Sequence, residues 1–245
     1  FGVCIMIIIP ARLKSSRFEN KILCKINSLP MFVLTAKNMQ EVDEVCVAVD
    51  DEEVLQIALE HKIKAVLTSK EHESGTDRIN EACKILNLND DEIIINVQAD
   101  EPFIEKENIK KFKEFAKTCL HKDAFMASCY KQANSKDCDD SNLVKVVLDK
   151  NSFALYFSRS KIPFERDEYK ESFKAHLGIY AYTVKALKEF CKFKASNLES
   201  AEKLEQLRAL ENSKKIKMLE IQTKSIGIDS KQDYEKAMKL FNFKP

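Results

Sequence analysis

The strongest constraint on the fold is an alternation, over the first hundred residues, of short unbroken Val/Ile runs with longer amphipathic stretches. Residues 3–9, 45–49, 65–67 and 93–97 are apolar almost throughout. A continuous apolar run is buried on both faces, unlike the alternating pattern of a strand with one wet face. The intervening residues near 30–41, 51–61 and 76–87 carry helical spacing, with Asp50-Asp51 and Ser74 or Thr76 as caps for two of them. The order βαβαβαβ predicts a mostly parallel central sheet with helices on both faces. The second half is less regular. Strands are predicted near 125–130, 144–148, 154–157 and 177–182, close enough together for a β-rich insertion. Helices near 183–192 and 199–211, a strand near 216–221 and a last helix near 231–241 complete the chain. With no repeat or linker, the 245 residues read as a single α/β unit with an elaborated C-terminal half.

Several function classes drop out. The chain has only four glycines, Gly2, Gly75, Gly178 and Gly227. Neither a G-x-G-x-x-G dinucleotide loop nor a G-x-x-x-x-G-K-[ST] phosphate loop can be written in it, and G-x-S-x-G is missing too. Any phosphate must be gripped by cationic side chains and metal. Charged residues make up 32% yet the net charge is +1, with no basic stripe of the kind nucleic-acid binding needs. The first apolar run, 3–10, is far short of the roughly 20 residues that span a membrane, and no signal peptide precedes it, so a cytoplasmic protein without membrane association is expected. Eight scattered cysteines form no C-x-x-C pair and four histidines no cluster, which predicts reduced thiols and no zinc site.

Four segments carry chemistry. The first run leads into Pro10-Ala11-Arg12-Leu13-Lys14-Ser15-Ser16-Arg17-Phe18-Glu19-Asn20-Lys21. Open α/β sheets bind ligands outside the carboxyl ends of their strands, where this loop begins. Arg12, Arg17 and Lys21 could neutralise a triphosphate, Arg by forking onto two oxygens and Lys as a mobile point charge. A solvated charged loop would look the same on spacing alone. A second run delivers Gln98, Asp100 and Glu101 to its carboxyl end, and carboxylates there suit a hard cation such as Mg²⁺; a turn Asp ahead of Pro102 is the plainer use. Glu73-Ser74-Gly75-Thr76-Asp77-Arg78 opens a helix, whose first N–H groups can meet an anion or simply be capped. Asp229, at a strand-to-helix turn, reads by itself as an N-cap, and matters chemically only if it lies beside Asp100.

In order along the chain stand IIIPAR-x-x-S-S-R-x-x-x-K, SGTDR, NVQADEP, VKVVLD, ALYFSR-x-x-IPF, HLGIYAY, LEQLR and GID. This ordered set resembles the 3-deoxy-manno-octulosonate (Kdo) cytidylyltransferases over nearly the whole length. The resemblance implies a Rossmann-like nucleotide-diphosphosugar transferase fold and, as partners, a second copy in a homodimer. It implies transfer of CMP from CTP to Kdo with Mg²⁺, releasing pyrophosphate, for lipopolysaccharide synthesis. Carried over residue by residue, Arg12, Arg17 and Lys21 hold the CTP phosphates, with Ala11, Ser74, Thr76, Arg78 and Gln98 in the nucleotide pocket. Asp100 and Asp229 ligate Mg²⁺, and with Arg12 and Lys21 form the catalytic set. Gln98, Arg159, His176, Tyr180, Glu205 and Gln206 line the Kdo site. Residues 1–130 would serve the nucleotide, 131–225 the sugar and the dimer, and 226–245 would return a metal ligand. Three departures stand out: Phe18-Glu19-Asn20 replaces the family's Leu-Pro-Gly, Asn27-Ser28-Leu29-Pro30 its Asn-Gly-Lys-Pro, and Ala99 the Gly of Q-G-D-E-P. A transferase for another acidic sugar, such as a sialic acid or an 8-amino Kdo analogue, and a non-catalytic nucleotide-sugar binder are the competing readings.

Overall fold

The computed structural model describes residues 4–14, 18–167 and 172–243. Its elements, in order, are β1 (Ile5–Ala11), β2 (Lys25–Ile26), β3 (Leu29–Pro30), α1 (Met31–Gln40), β4 (Val45–Val49), α2 (Glu52–Glu60), β5 (Ala65–Leu67), α3 (Gly75–Ile85), β6 (Ile93–Asn96) and α4 (Lys106–Cys119). There follow β7 (Met126–Ala133), β8 (Lys145–Leu148), β9 (Ala154–Ser158), β10 (Phe173–Thr183), α5 (Val184–Phe190), α6 (Asn197–Glu202), α7 (Leu207–Glu211), β11 (Ile216–Glu220) and α8 (Lys231–Phe241). The chain divides into two compact units, Phe1–Lys110 with Lys224–Pro245, and Lys111–Thr223. The division falls within α4. Among the described residues no helix is long and apolar enough to cross a membrane.

In the first unit the strands run β6-β1-β4-β5, all parallel. Every residue of β1, β4 and β6 is buried, which is what the unbroken apolar runs require. From β1 the chain builds outward through β4 to β5, then returns to place β6 on the other side of β1. The order thus reverses between β1 and β6, the point where open α/β sheets form a crevice at their carboxyl ends. β1 extends two residues further than the apolar run predicts. Its pairing with β6 stops at Ile8↔Asn96, so Pro10, with no N–H to donate, lies where only β4 flanks the strand. Asp51 caps α2 and Ser74 caps α3, each accepting a backbone N–H two or three residues on.

The departures around β2 and β3 have a backbone explanation. Asn20, Asn27 and Ser28 all adopt left-handed φ, at 50°, 49° and 70°. Asn20 leads into a 3-10 turn, Lys21–Leu23, and so sets the direction of Lys21. Asn tolerates this region better than most residues other than glycine, so the turn at position 20 forms without one. Phe18, in the same stretch, packs edge-on against Tyr234 of α8 with centroids 6.2 Å apart, joining a core of Ile26, Met31, Ile228, Ala237 and Met238. The end of the loop is therefore anchored by apolar burial rather than by Pro and Gly.

The second unit is largely antiparallel: β7 pairs with β10, β10 with β8 and β8 with β9, while β11 joins β7 in parallel. The predicted β-rich second half is present. Two helical readings need correction. The single helix predicted near 199–211 is two, because Lys203 takes left-handed φ of 54° and ends α6. α4 is an element the periodicity reading left out, although Ile109, Phe112 and Ala116 are buried at helical spacing.

Ser28 holds a conformation in which an L side chain costs about 1–2 kcal/mol, against roughly 0.5–1 kcal/mol of extra unfolded-state entropy for glycine. Ser28→Gly should therefore stabilise by about 0.5–1 kcal/mol and raise Tm by about 1–4 °C in a thermal melt. A lower Tm would contradict the strain assigned to this turn.

Candidate active site

A cleft of about 210 Å³ opens in the first unit, lined by residues that follow β1 (Arg12, Lys14, Lys21), by His72 to Gly75 and Arg78 at the start of α3, by Gln98 to Asp100 after β6, and by Asp229. It stands at the strand-order reversal. Each segment is held by a traceable contact. Pro10 packs on Gly75, where an added Cβ would come within 3.2 Å of the proline ring. The turn after β6 is tied to α1, with Thr35 Oγ1 donating to the Ala99 carbonyl at 2.9 Å and Asn38 Nδ2 to that of Pro102 at 2.8 Å. Ala99 is buried, so the turn accommodates a methyl group there.

Lys21 Nζ lies 2.5 Å from Asp100 Oδ2 and 2.7 Å from Asp229 Oδ1. These residues are 79 and 208 positions away from Lys21 in sequence. Asp229 is brought there by a set of backbone pins. Glu105 accepts the Lys224 N–H at 3.0 Å, Glu101 accepts the Ser225 hydroxyl at 2.8 Å, and Ile228 N–H donates to the Asp100 carbonyl at 3.0 Å. Gly227 suits this close approach, because a Cβ there would meet Glu101 Oε1 at 3.0 Å and the carboxylate would have to shift. The sequence reading of Asp229 as an N-cap is corrected: Ser230 caps α8 in a reciprocal box with Asp233, so the Asp229 carboxylate is left to face Lys21.

The electrostatics follow from burial and charge. Burial raises the Asp100 pKa and the Asp229 carboxylate adds to this, while the Lys21 ammonium pulls it back; it remains above the ordinary carboxylate value. Burial works against the Lys21 charge, but Asp100 and then Asp229 outweigh it, so its pKa is raised. Two carboxylates converging on one ammonium are a donor set that fits a hard cation. Mg²⁺ typically takes one or two protein carboxylates and completes its shell with phosphate oxygens and water. No group of three or more His, Cys, Asp or Glu suited to a metal occurs among the described residues.

The other nucleotide candidates fall into distinct places. Arg12 is exposed at the cleft, Ala11 is buried at the end of β1, and Arg17 lies outside the described residues. Ser74 Oγ accepts the Asp77 N–H at 3.1 Å, and Thr76 is buried in the first turn of α3. Arg78 lines the cleft, but its guanidinium donates to Thr68 Oγ1 at 2.7 Å and to Asp50 Oδ2 at 3.1 Å. Gln98 Nε2 donates to Asn96 Oδ1 at 3.1 Å. Lys14 and His72 also line the cleft and were not singled out from sequence. Lys14 had a signal, its place within the cationic loop; His72, held to Glu81 at 2.5 Å, had none.

Five of the predicted sugar-site residues belong to the second unit. Tyr180 Oη donates to Gln206 Oε1 at 3.2 Å, and the His176 ring lies 5.5 Å from that of Tyr180. Gln206 Nε2 is buried without a hydrogen-bond acceptor among the described residues. The Glu205 charge adds to burial in raising the Tyr180 pKa, which puts Glu205 in the same group. Arg159 is held at the α6 corner, its Nε donating to the Glu202 carbonyl at 2.7 Å and its Nη1 to that of Ser141 at 3.0 Å. Ser128 Oγ lies 2.8 Å from the Ile179 carbonyl and 2.9 Å from His176 Nε2, at the point where β10 slips register against β7 between Leu177 and Tyr180. The hydroxyl has one proton; given to Ile179, it leaves the oxygen to accept from Nε2–H, the neutral tautomer with Nδ1 as acceptor. Burial pushes the His176 pKa down to about 3, which agrees.

Residues 6–216 match the cytidylyltransferase family, so the chain belongs to that class of nucleotidyltransferase. A 3-deoxy-manno-octulosonate cytidylyltransferase of Wolinella succinogenes is 52% identical over 241 residues, covering 96% of this chain and 99% of that protein. One of Helicobacter pylori is also 52% identical over 241 residues, covering 97% and 98%. A solved structure of CMP:2-keto-3-deoxy-manno-octonic acid synthetase complexed with CTP is 33% identical, with a TM-score of 0.91 and 98% of each chain covered. These relatives place the chain among the 3-deoxy-manno-octulosonate cytidylyltransferases.

His176 gives a pH prediction. Its folded pKa of about 3 lies below the ordinary 6.5, so between these values the unfolded chain binds a proton the folded chain refuses. The stability this contributes is whole above 6.5 and is lost as pH falls towards 3. In urea melts the wild-type midpoint should drop more steeply below pH 6.5 than that of His176→Asn, which keeps a donor for Ser128. Parallel curves would contradict the buried neutral imidazole.

Proposed function

We propose that the chain transfers CMP from CTP to 3-deoxy-D-manno-octulosonate, releasing pyrophosphate and supplying lipopolysaccharide synthesis. The observation that carries this reading is the convergence of Asp100 and Asp229 on Lys21 beside the Arg12–Lys14 loop. The anomeric hydroxyl oxygen attacks the α-phosphorus in line, the bond to the β-phosphate oxygen breaks, and the hydroxyl proton is lost to solvent. Such a reaction asks the protein for positioning and charge stabilisation rather than covalent chemistry. In the proposed mechanism Arg12, Lys14 and Lys21 stabilise the departing pyrophosphate, with Arg17 as a further cation carried over from the family. Asp100 and Asp229 would hold Mg²⁺, which supplies charge neutralisation at the triphosphate. Ser74, Thr76, Arg78 and Gln98 would shape the nucleotide pocket. Neutral His176, with Arg159, Tyr180, Glu205 and Gln206, would receive the sugar acid.

A homodimer and a cytoplasmic setting complete the proposal. Phe164 is 87% exposed and Leu155 61%, apolar surface that a second copy would cover, and the eight cysteines are thiols outside any disulfide, as a reducing compartment would keep them.

The test is Mg²⁺-dependent pyrophosphate release from CTP with Kdo, run beside a sialic acid and 8-amino Kdo. Kdo should be preferred. Asp100→Asn should cut the rate by roughly 100-fold or more while melting cooperatively like wild type. A wild-type rate in that variant would overturn the carboxylate assignment, and preference for another acid would overturn the substrate.

A further inference from the structure

At the carboxyl end of β4, the carboxylate of Asp50 is buried and both its oxygens are engaged. Oδ1 accepts the Leu13 N–H at 3.0 Å and Oδ2 accepts Arg78 Nη2 at 3.1 Å. Arg78 is itself 1% exposed, and its Nη1 also donates to Thr68 Oγ1 at 2.7 Å and to the Ser69 carbonyl at 3.3 Å. The Thr68 hydroxyl passes the chain on to the Val49 carbonyl at 2.7 Å. Asp50 and Arg78 together thus join the ends of β4 and β5, the first turn of α3 and the loop that leaves β1. Leu13 sits between Arg12 and Lys14, both of which line the cleft.

We propose that Asp50 is a positioning residue for the triphosphate: it touches no substrate, but by holding the Leu13 N–H against Arg78 it fixes the backbone from which Arg12 and Lys14 reach the phosphates. Two physical facts favour this over a plain stabilising ion pair. The Leu13 bond lies on the loop itself, so its loss changes where Arg12 and Lys14 start from, whatever it does to the fold. Asp50 also offsets the buried Arg78 charge, which otherwise repels Arg12 nearby. Positioning losses of this kind are costly, since a displacement of about 1 Å can cost roughly 100-fold.

The inference rests on the proposed use of CTP, and the experiment separates the two. Asp50→Asn keeps the shape, but its single carbonyl oxygen can serve Leu13 N–H or Arg78, not both. Hydrogen exchange at the Leu13 amide should speed by roughly tenfold or more, and affinity for CTP and for pyrophosphate should fall by about tenfold with kcat changed less. Affinity for CMP, which lacks the β- and γ-phosphates, should move less than twofold. A fall in Tm with an unchanged CTP-to-CMP affinity ratio would overturn the proposal, as would wild-type exchange at Leu13. Should Asp50→Asn fail to fold, Asp50→Glu retains the charge, displaces the oxygen that Leu13 uses, and faces the same criterion. Wild-type protein that binds no CTP would instead overturn the functional reading.

Discussion

The interaction on which the site depends is the bridge from Lys21 Nζ to Asp100 and Asp229. Two carboxylates do not stay ionised side by side in a partly buried place without a cation between them. The ammonium supplies that charge, and its two short contacts show that both carboxylates point at one spot. In the proposed reaction Asp100 and Asp229 would hold a dication that supplies charge neutralisation, and Lys21 would pair with the phosphates. Three segments distant in sequence must be held in register for this, and much of the surrounding structure serves that end.

Lys21 is aimed by the left-handed Asn20 and by Phe18, which packs half-buried against α8. Asp100 is fixed by the turn that Thr35 and Asn38 hold from α1. Asp229 is delivered by the 224–228 segment, pinned on Glu101 and Glu105, and by α8, which is docked through Phe241 stacked on Phe103 at 4.2 Å. These aromatics are half-buried, and each contributes about 1 kcal/mol or more through the apolar area it removes from water, more than an exposed ion pair typically gives. The convergence of these three side chains is thus maintained mainly by apolar packing and hydrogen bonds of the surrounding segments. The ion pair reports the convergence more than it enforces it.

The parallel sheet was legible because strands buried on both faces must be apolar throughout, and residues 45–49 or 93–96 leave no other use for such runs. That the cationic loop and Asp100 after β6 line one cleft was legible, since open α/β sheets form a crevice at the carboxyl ends of their strands. What stayed hidden depended on distant partners or on backbone angle. Lys203 breaks a helix by a left-handed φ that its side chain does not announce, and Ser28 turns a hairpin in a position better suited to glycine. Asp229 looked like a cap, and only its neighbour Ser230 taking that role leaves it for Lys21. Arg78 could be named from its motif, but its partner Asp50 lies 28 residues away and has no signature of its own.

The central claim is that Asp100 and Asp229 act as one ligand for one cation. Its most direct test is Mn²⁺ binding in the presence of CTP, followed by electron paramagnetic resonance, for Asp100→Asn, Asp229→Asn and the double variant. A shared ion predicts that each single change loses nearly as much affinity as both together, a strongly non-additive cycle. Losses that simply add, or a single variant that binds as wild type does, would mean that the two carboxylates serve separate purposes.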